Sequence, residues 1–234
     1  MNYFSEISKI MKSQMAQIVP VILDPIISAT ANKVVEVDVA KDEDEFDLDS
    51  DDDHDHDHVM MDLEGIDEQV AAIHALGNLC LYCSGLMQPH LQRISEAMLS
   101  IGQYVHENVR YHTCLTLTQI AIGMLRLAKG MQDSDDKFEW TAGLPVQEAL
   151  PENVKRFIDE IVVPHFKDIM AHEIRKDVVE KVMECIRDLA DEMGPAGLDG
   201  HYDWVIGVIE QLLDKTSVCQ TGKDPDEDLG PEEG

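Results

Sequence analysis

The chain has 234 residues, 44% of them hydrophobic, which is enough for one large domain or a short repeat array with a substantial core. Asp and Glu number 47 against 18 Lys and Arg, a formal net charge of -29, so nonspecific attraction to nucleic acid or an anionic membrane is opposed by Coulomb repulsion. Natural partners are therefore basic. The cysteines, Cys80, Cys83, Cys114, Cys185 and Cys219, are odd in number and four of them fall inside apolar helical patterns, which points to a reducing compartment and away from a disulfide framework.

In chain order, residues 1–30 read as a partial helix pair. Its apolar piece "IVPVILDPIISA" carries Asp24 and is interrupted by Pro20 and Pro25, so it is too short and too broken to span a bilayer. Residues 31–63 read as an acidic connecting loop. "KVVEVDV" is the single strand candidate, and it runs into "DEDEFDLDSDDDHDHDH", residues 42–58. Carboxylates this close repel one another well within a Debye length of about 8 Å, so an extended, disordered loop is expected. Its Asp42, Glu43, Asp44, Glu45, Asp47, Asp49, Asp51, Asp52 and Asp53 can meet a basic segment without fixed geometry. His54, His56 and His58 would fall on one side of an extended strand, a pattern with affinity for Zn²⁺, Cu²⁺ or Ni²⁺. Without a rigid frame to orient such ligands, no functional metal site is expected.

Beyond the loop the period is helical. In "IDEQVAAIHALGNLCLYC" the residues Val70, Ile73, Leu76, Leu79, Cys80 and Cys83 share one face; Gly85 can end this helix and Pro89 can open the next, "PHLQRISEAMLSIGQY". Together they make one unit over 64–103. "HENVRYHTCLTLTQIAIGMLRLAKG" and "PENVKRFIDEIVVPHFKDIMAH" make a second over 104–171, with an irregular insertion at 131–150 and a bend expected at Pro164. "EIRKDVVEKVMECIRDLADEMG" and "GHYDWVIGVIEQLLDKT" make a third over 172–216, and 217–234 reads as a disordered acidic tail.

Catalytic signatures are absent from this pattern. "CLYC" has no second Cys-x-x-Cys and falls late in a helix, where both thiols can pack inward. His74, His90, His112 and His165 lack His-Glu-x-x-His spacing and read as scattered helix-surface residues; no nucleophile elbow or phosphate-binding glycine loop occurs. No enzymatic activity and no cofactor are expected.

Overlaying the first helices of the units, "EQVAAIHALGNL", "VRYHTCLTLTQI" and "IRKDVVEKVMEC", aligns Leu76 with Leu117 and Val182, intervals of 41 and 65 residues. The excess in the second interval is close to the length of the insertion, and helix-pair repeats of about 40–47 residues are the HEAT/armadillo size. The sequence supports this at residue level: "VHENVRYHTCLTLTQIA" resembles the HEAT signature, "EQVAAIHALGNL" keeps its Ala-Leu-Gly, and "HEIRKDVVEKVMECI" has Ile-Arg. The order of features, an acidic loop, these helix pairs, then "KTSVCQTGKDPDEDLGPEE", is similar to the middle of the importin-β (karyopherin-β) nuclear transport receptors, most of all the importin-4 branch.

That resemblance implies an all-α, right-handed HEAT superhelix of about three complete pairs plus a partial one, cut from a longer array that lacks here the repeats docking Ran. It implies binding of basic protein cargo, ribosomal proteins or histones, with release coupled to Ran-GTP, contact with nucleoporin Phe-Gly repeats, and shuttling between cytoplasm and nucleus through the pores. The second helices line the inner face in the family, which directs attention to Glu96, Asp159, Glu160, Asp203, Trp204 and Glu210 as cargo contacts, with Trp204 equally suited to the core. A rival reading is a HEAT scaffold or acidic histone-chaperone-like protein with no transport cycle.

Overall fold

The computed structural model describes residues 3–31, 63–102, 106–132 and 138–222. The acidic residues 42–53, the "KVVEVDV" segment, the histidines of "HDHDH" and the tail beyond 222 lie outside the described residues. Among the described residues there is no strand, and no single helix is long and apolar enough to cross a membrane.

Helices α1 (Tyr3–Met11) and α2 (Val19–Thr30) are joined by a 3-10 turn, Lys12–Gln17. Pro20 sits in the first turn of α2, where its missing N–H costs no helical bond. Helix α3 (Leu63–Tyr82) is long; the chain breaks at Cys83, turns through α4 (Ser84–Met87) and a 3-10 segment, Gln88–His90, and continues as α5 (Leu91–Ile101). The break therefore falls two residues before Gly85, which is itself helical, and the bend between the two arms is 110°. Helix α6 (Glu107–Ala128) starts on an His106 cap, whose Nδ1 accepts the Asn108 backbone N–H at 3.2 Å.

The next helix is α7 (Glu152–Phe157), a π-helical turn Ile158–Val162, and α8 (Val163–His172). The distortion precedes Pro164 instead of bending the helix at it. A proline ring clashes with the carbonyl four residues earlier and supplies no N–H, and one wider turn upstream relieves both defects. Helix α9 (Lys176–Met193) has apolar residues at Val178, Val179, Val182, Cys185, Ile186 and Leu189, the spacing of a single buried stripe. Gly194 at φ +63° stops it, and after a 3-10 turn, Gly194–Leu198, come α10 (Tyr202–Leu213) and the single turn α11 (Val218–Thr221).

The first helices α3, α6 and α9 stack side by side as one layer, with α6 in the middle, and α1 packs on the far side of α3. Leu76, Leu117 and Val182, the aligned anchors, are all fully buried in that layer. Helix α6 buries residues around much of its circumference because it has a neighbour on both sides. Helices α2 and α5, with the α7–α8 helix, form the second layer against it.

Two contacts fix the spacing. A Cβ on Gly123 of α6 would lie 2.1 Å from the Cys80 carbonyl oxygen of α3, so the α6 backbone meets the α3 backbone directly there; one on Gly77 of α3 would lie 2.0 Å from Gln119 Oε1, whose side chain packs over that glycine. Thr116 Oγ1 donates to the Ile73 carbonyl across the same seam at 3.0 Å. The second contact is ionic. Arg110, near the start of α6, makes two bonds to Glu173, Nε to Oε2 at 2.6 Å and Nη2 to Oε1 at 2.9 Å, with only 15% and 3% of the two side chains exposed. Glu173 Oε1 also accepts the Arg175 backbone N–H at 2.9 Å, so the pair clamps the α8–α9 connection to the start of α6.

Gly123→Ala puts a methyl group into backbone and should cost about 3 kcal/mol or more, the upper end of overpacking, read as a lower urea midpoint with unchanged slope. Glu173→Ala removes the carboxylate that holds the largely buried Arg110 by two bonds and should cost about 3–5 kcal/mol, whereas the double replacement Arg110→Met with Glu173→Leu should recover most of it in the same urea titration.

Candidate functional site

The layer of second helices contains a cleft of about 300 Å³ between α5 and the α7–π segment. One wall is a single face of α5, Leu91, Gln92, Ser95, Glu96 and Leu99; the other is a single face of the opposing helix, Asn153, Arg156, Phe157, Glu160 and Ile161. Met124 of α6 closes the floor. Both walls follow from amphipathic spacing. On α5 the residues Ile94, Met98 and Ile101 turn into the core, which leaves Glu96 and Leu99 on the open side. On the opposite wall Val154, Ile158 and Val162 turn inward, and Glu160 is left facing solvent above Phe157 and Ile161.

The cleft pairs an apolar floor with two carboxylates and one guanidinium, Arg156. Gln92 Nε2 donates to Glu96 Oε1 at 2.9 Å and orients that carboxylate. An apolar floor edged by acids suits a long side chain with an aliphatic stem and a cationic end, because the stem buries methylenes while the charge stays at the wet rim.

Of the acids singled out from sequence, Glu96 and Glu160 meet in this cleft and the other helical ones do not. Asp159 turns to the other side of its helix. It accepts from Lys155 Nζ at 2.6 Å and lies 2.8 Å from His201 Nε2, while Lys155 also donates to the Asp199 carbonyl at 2.9 Å. Burial alone would push the Asp159 carboxyl up, but the hydrogen bonds and charges of Lys155 and His201 hold it below the usual carboxylate range. This carboxylate ties the α7–π helix to the turn before α10. Asp203 and Glu210 are exposed on α10, apart from the cleft; Trp204 is half-buried against the core, with Lys167 Nζ 5.6 Å from its ring centroid. Leu99, Met124, Phe157 and Ile161 were not distinguishable from core residues in the sequence. For Leu99 and Phe157 the available signal is a position three residues from an outward-facing acid, Glu96 and Glu160; Met124 has no acid within four residues.

The histidines correct a second reading. His165 is not on the surface: it is buried beneath Gly102, where a Cβ would come within 2.5 Å of its ring, and its Nε2 lies 3.7 Å from Cys114 Sγ. Burial lowers its pKa, with Asp168 opposing, and the same burial raises the Cys114 thiol well above its usual range, so this His–Cys contact holds neutral groups. His74 and His112 come together from α3 and α6 with ring centroids 5.6 Å apart; Tyr111 stacks edge-on against His112 at 5.0 Å, and Lys181 of α9 lies over the Tyr111 ring. Burial first, then the His74 and Lys181 charges, lower the His112 pKa to about 4. The five cysteines are all buried and free; Cys83 Sγ donates to the Lys12 carbonyl at 3.4 Å, a packing role that fits both thiols of "CLYC". Among the described residues no cluster suited to a metal ion occurs.

A second cleft of about 300 Å³ opens on the first-helix layer, between α3, α6 and α9. Leu81, Leu115 and Ile122 line one half, and Asp188, Asp191 and Glu192 the other, with Arg126 bound to Glu192 at 3.2 Å.

No protein-family model matches the chain. Over 166 residues, 71% of its length, the chain is 22% identical to a protein of Schizosaccharomyces pombe described as a probable importin subunit beta-4. It spans 15% of that relative's length. The similarity is distant and supports resemblance to the importin-β family.

Because His112 takes up a proton more readily unfolded than folded, stability should be full above about pH 6.5 and should fall as pH drops toward about 4. Urea titrations across that window should show the slope, and His112→Gln should flatten it.

Proposed function

We propose that this chain is a HEAT-repeat segment of an importin-β-type transport receptor and that it holds basic protein cargo on its layer of second helices. The observation that carries the reading is the cleft between α5 and α7, where Glu96 and Glu160 flank Leu99, Met124, Phe157 and Ile161 in a chain of net charge -29. The distant similarity to a protein named as an importin subunit supports it. In this reading the second helices face the inside of a right-handed superhelix. Lysine- and arginine-rich cargo of the histone or ribosomal-protein kind lies across the cleft, and the acidic run 42–58 adds long-range attraction.

Cargo release is coupled to Ran-GTP bound elsewhere in a longer receptor, as an exchange of binding free energies, and the receptor shuttles between cytoplasm and nucleus. The chain works by binding and not by catalysis. That fits the suppressed reactivity of its thiols: burial pushes the Cys185 thiol up to about 12 and Cys114 well above its usual range.

One observation favours the rival reading of a scaffold or acidic chaperone without a transport cycle. The cleft on the first-helix layer is half acidic, and Asp188, Asp191 and Glu192 make it a poorer seat for the phenylalanine rings of nucleoporin repeats than a fully apolar pocket. Binding of Phe-Gly repeat peptides separates the two readings.

The cargo reading is checked by titrating the full chain with labelled core histones or a basic ribosomal protein at rising salt. Exposed charge pairs contribute about 0.2–1 kcal/mol each, so Glu96→Gln with Glu160→Gln should weaken binding roughly two- to thirty-fold, and Glu180→Gln on the first-helix layer should leave it unchanged. Equal affinity for the double variant and the wild type would remove the cleft from the mechanism.

A further inference from the structure

The cleft on the first-helix layer takes no part in the function proposed above. It is bounded on both sides by helices of this chain, with α6 as its floor, α3 as one wall and α9 as the other. Its apolar half is Leu81 and Tyr82 of α3 with Leu115 and Ile122 of α6; its acidic half is Asp188, Asp191 and Glu192, which recur at three- and four-residue spacing on one face of α9. Between the halves stand two side chains of α6, Gln119 and Arg126, about two turns apart on the same face. Each holds a buried polar atom with no hydrogen-bond partner, the acceptor Gln119 Oε1 and the donor Arg126 Nε. Arg126 engages Glu192 through Nη2 alone, at 3.2 Å. Buried polar atoms are nearly always paired, so two unpaired ones in one cleft point to a ligand that completes them.

We propose that this cleft is a second peptide site, and that it takes an extended segment bearing a lysine or arginine. A peptide backbone offers one N–H and one C=O at almost every residue, the complement of Gln119 Oε1 and Arg126 Nε. The basic side chain lays its methylenes along Leu115, Ile122 and the Tyr82 ring and brings its cationic end to Asp188 and Asp191. Charge selects the occupant. The lining has three carboxylates against one guanidinium, and Asp188 and Asp191 share only the exposed Arg187 of their own helix, whose Nη2 lies 3.0 Å from Asp188 Oδ1. An incoming ammonium or guanidinium replaces that solvated contact, whereas an acidic segment meets like charge. The site is separate from the cleft between α5 and α7; where the cargo reading also holds, the chain carries two basic segments at once, one on each layer.

The test uses the full chain carrying Glu96→Gln with Glu160→Gln, so that failure of the cargo cleft and failure of this site are read apart. Fluorescence anisotropy follows a labelled, end-blocked peptide, Gly-Lys-Leu-Arg-Leu-Lys-Gly. Adding Asp188→Asn with Asp191→Asn should weaken its binding about ten-fold or more, the loss of a charge-assisted bond. Glu180→Gln with Asp214→Asn makes the same change in net charge at exposed acids outside the cleft and should leave binding unchanged. Equal weakening by both pairs means attraction to net charge alone and overturns the proposal. Changes to the peptide give a readout that no misfolding of a variant can disturb. Norleucine and citrulline in place of lysine and arginine keep the stems and remove the charge, and N-methylation removes the backbone donors; each altered peptide should bind several-fold more weakly, and unchanged affinity of either overturns the assignment. An excess of a Phe-Gly repeat peptide should leave the basic peptide bound. Displacement would make the cleft a seat for aromatic rings and would also overturn it.

Discussion

The distance between α3 and α6 is the constraint from which the remaining geometry follows. Gly123 lets the α6 backbone rest against the Cys80 carbonyl, so two long helices pack at a separation no side chain at that position would allow, while the Gln119 side chain fills the space beside Gly77. With that seam fixed, α9 is set on the other flank of α6, and the second helices are held at a spacing that leaves a cleft between α5 and α7. The Arg110–Glu173 pair adds direction. It locks the entry of α9 to the start of α6, and a buried, doubly bonded ion pair tolerates little displacement of either partner.

Charge is distributed by the same logic. Several of the 18 basic residues pair with acids of the same chain: Arg110 with Glu173 and Arg126 with Glu192, both largely buried, and Lys155 with Asp159 and Lys181 with Glu184 nearer the surface. Acidic residues outnumber them, and those left over, Glu96 and Glu160 among them, stand at the surface. A strongly acidic chain can therefore hold a compact core and still present an anionic face, with Arg110 and Arg126 neutralising the acids that are withdrawn from water, Glu173 and Glu192.

Much of this was legible in the sequence because helices announce themselves by period. The anchors Leu76, Leu117 and Val182 align by sequence alone, and each is buried in its helix of the first layer. Proline and glycine were less reliable guides to the breaks. Gly85 is a natural terminator, yet the helix turns at Cys83; Pro164 predicts a bend, yet the chain widens into a π turn upstream of it. In both cases the signal is real and local, but the position of the break is chosen by what packs against the neighbouring turns. The histidines show the limit most clearly. His74, His112 and His165 look alike as solitary residues on helical patterns, and their partners come from 38 or 51 residues away.

The sequence by itself determined the helical class, the acidic character and the main apolar stripe of the helices, since all of these depend on composition and local period. The resemblance directed attention to Glu96, Asp159, Glu160, Asp203 and Glu210 together, without separating Glu96 and Glu160 from the rest. Only the tertiary structure decided that these two share one cleft, that Asp159 one residue away is consumed by Lys155 and His201, and that Met124 from a different helix forms the floor. The physical reason is that neighbours along a helix are fixed by a rotation of about 100° per residue, whereas neighbours across helices are fixed by how closely the backbones approach, and here that approach is governed by Gly123 and one largely buried ion pair.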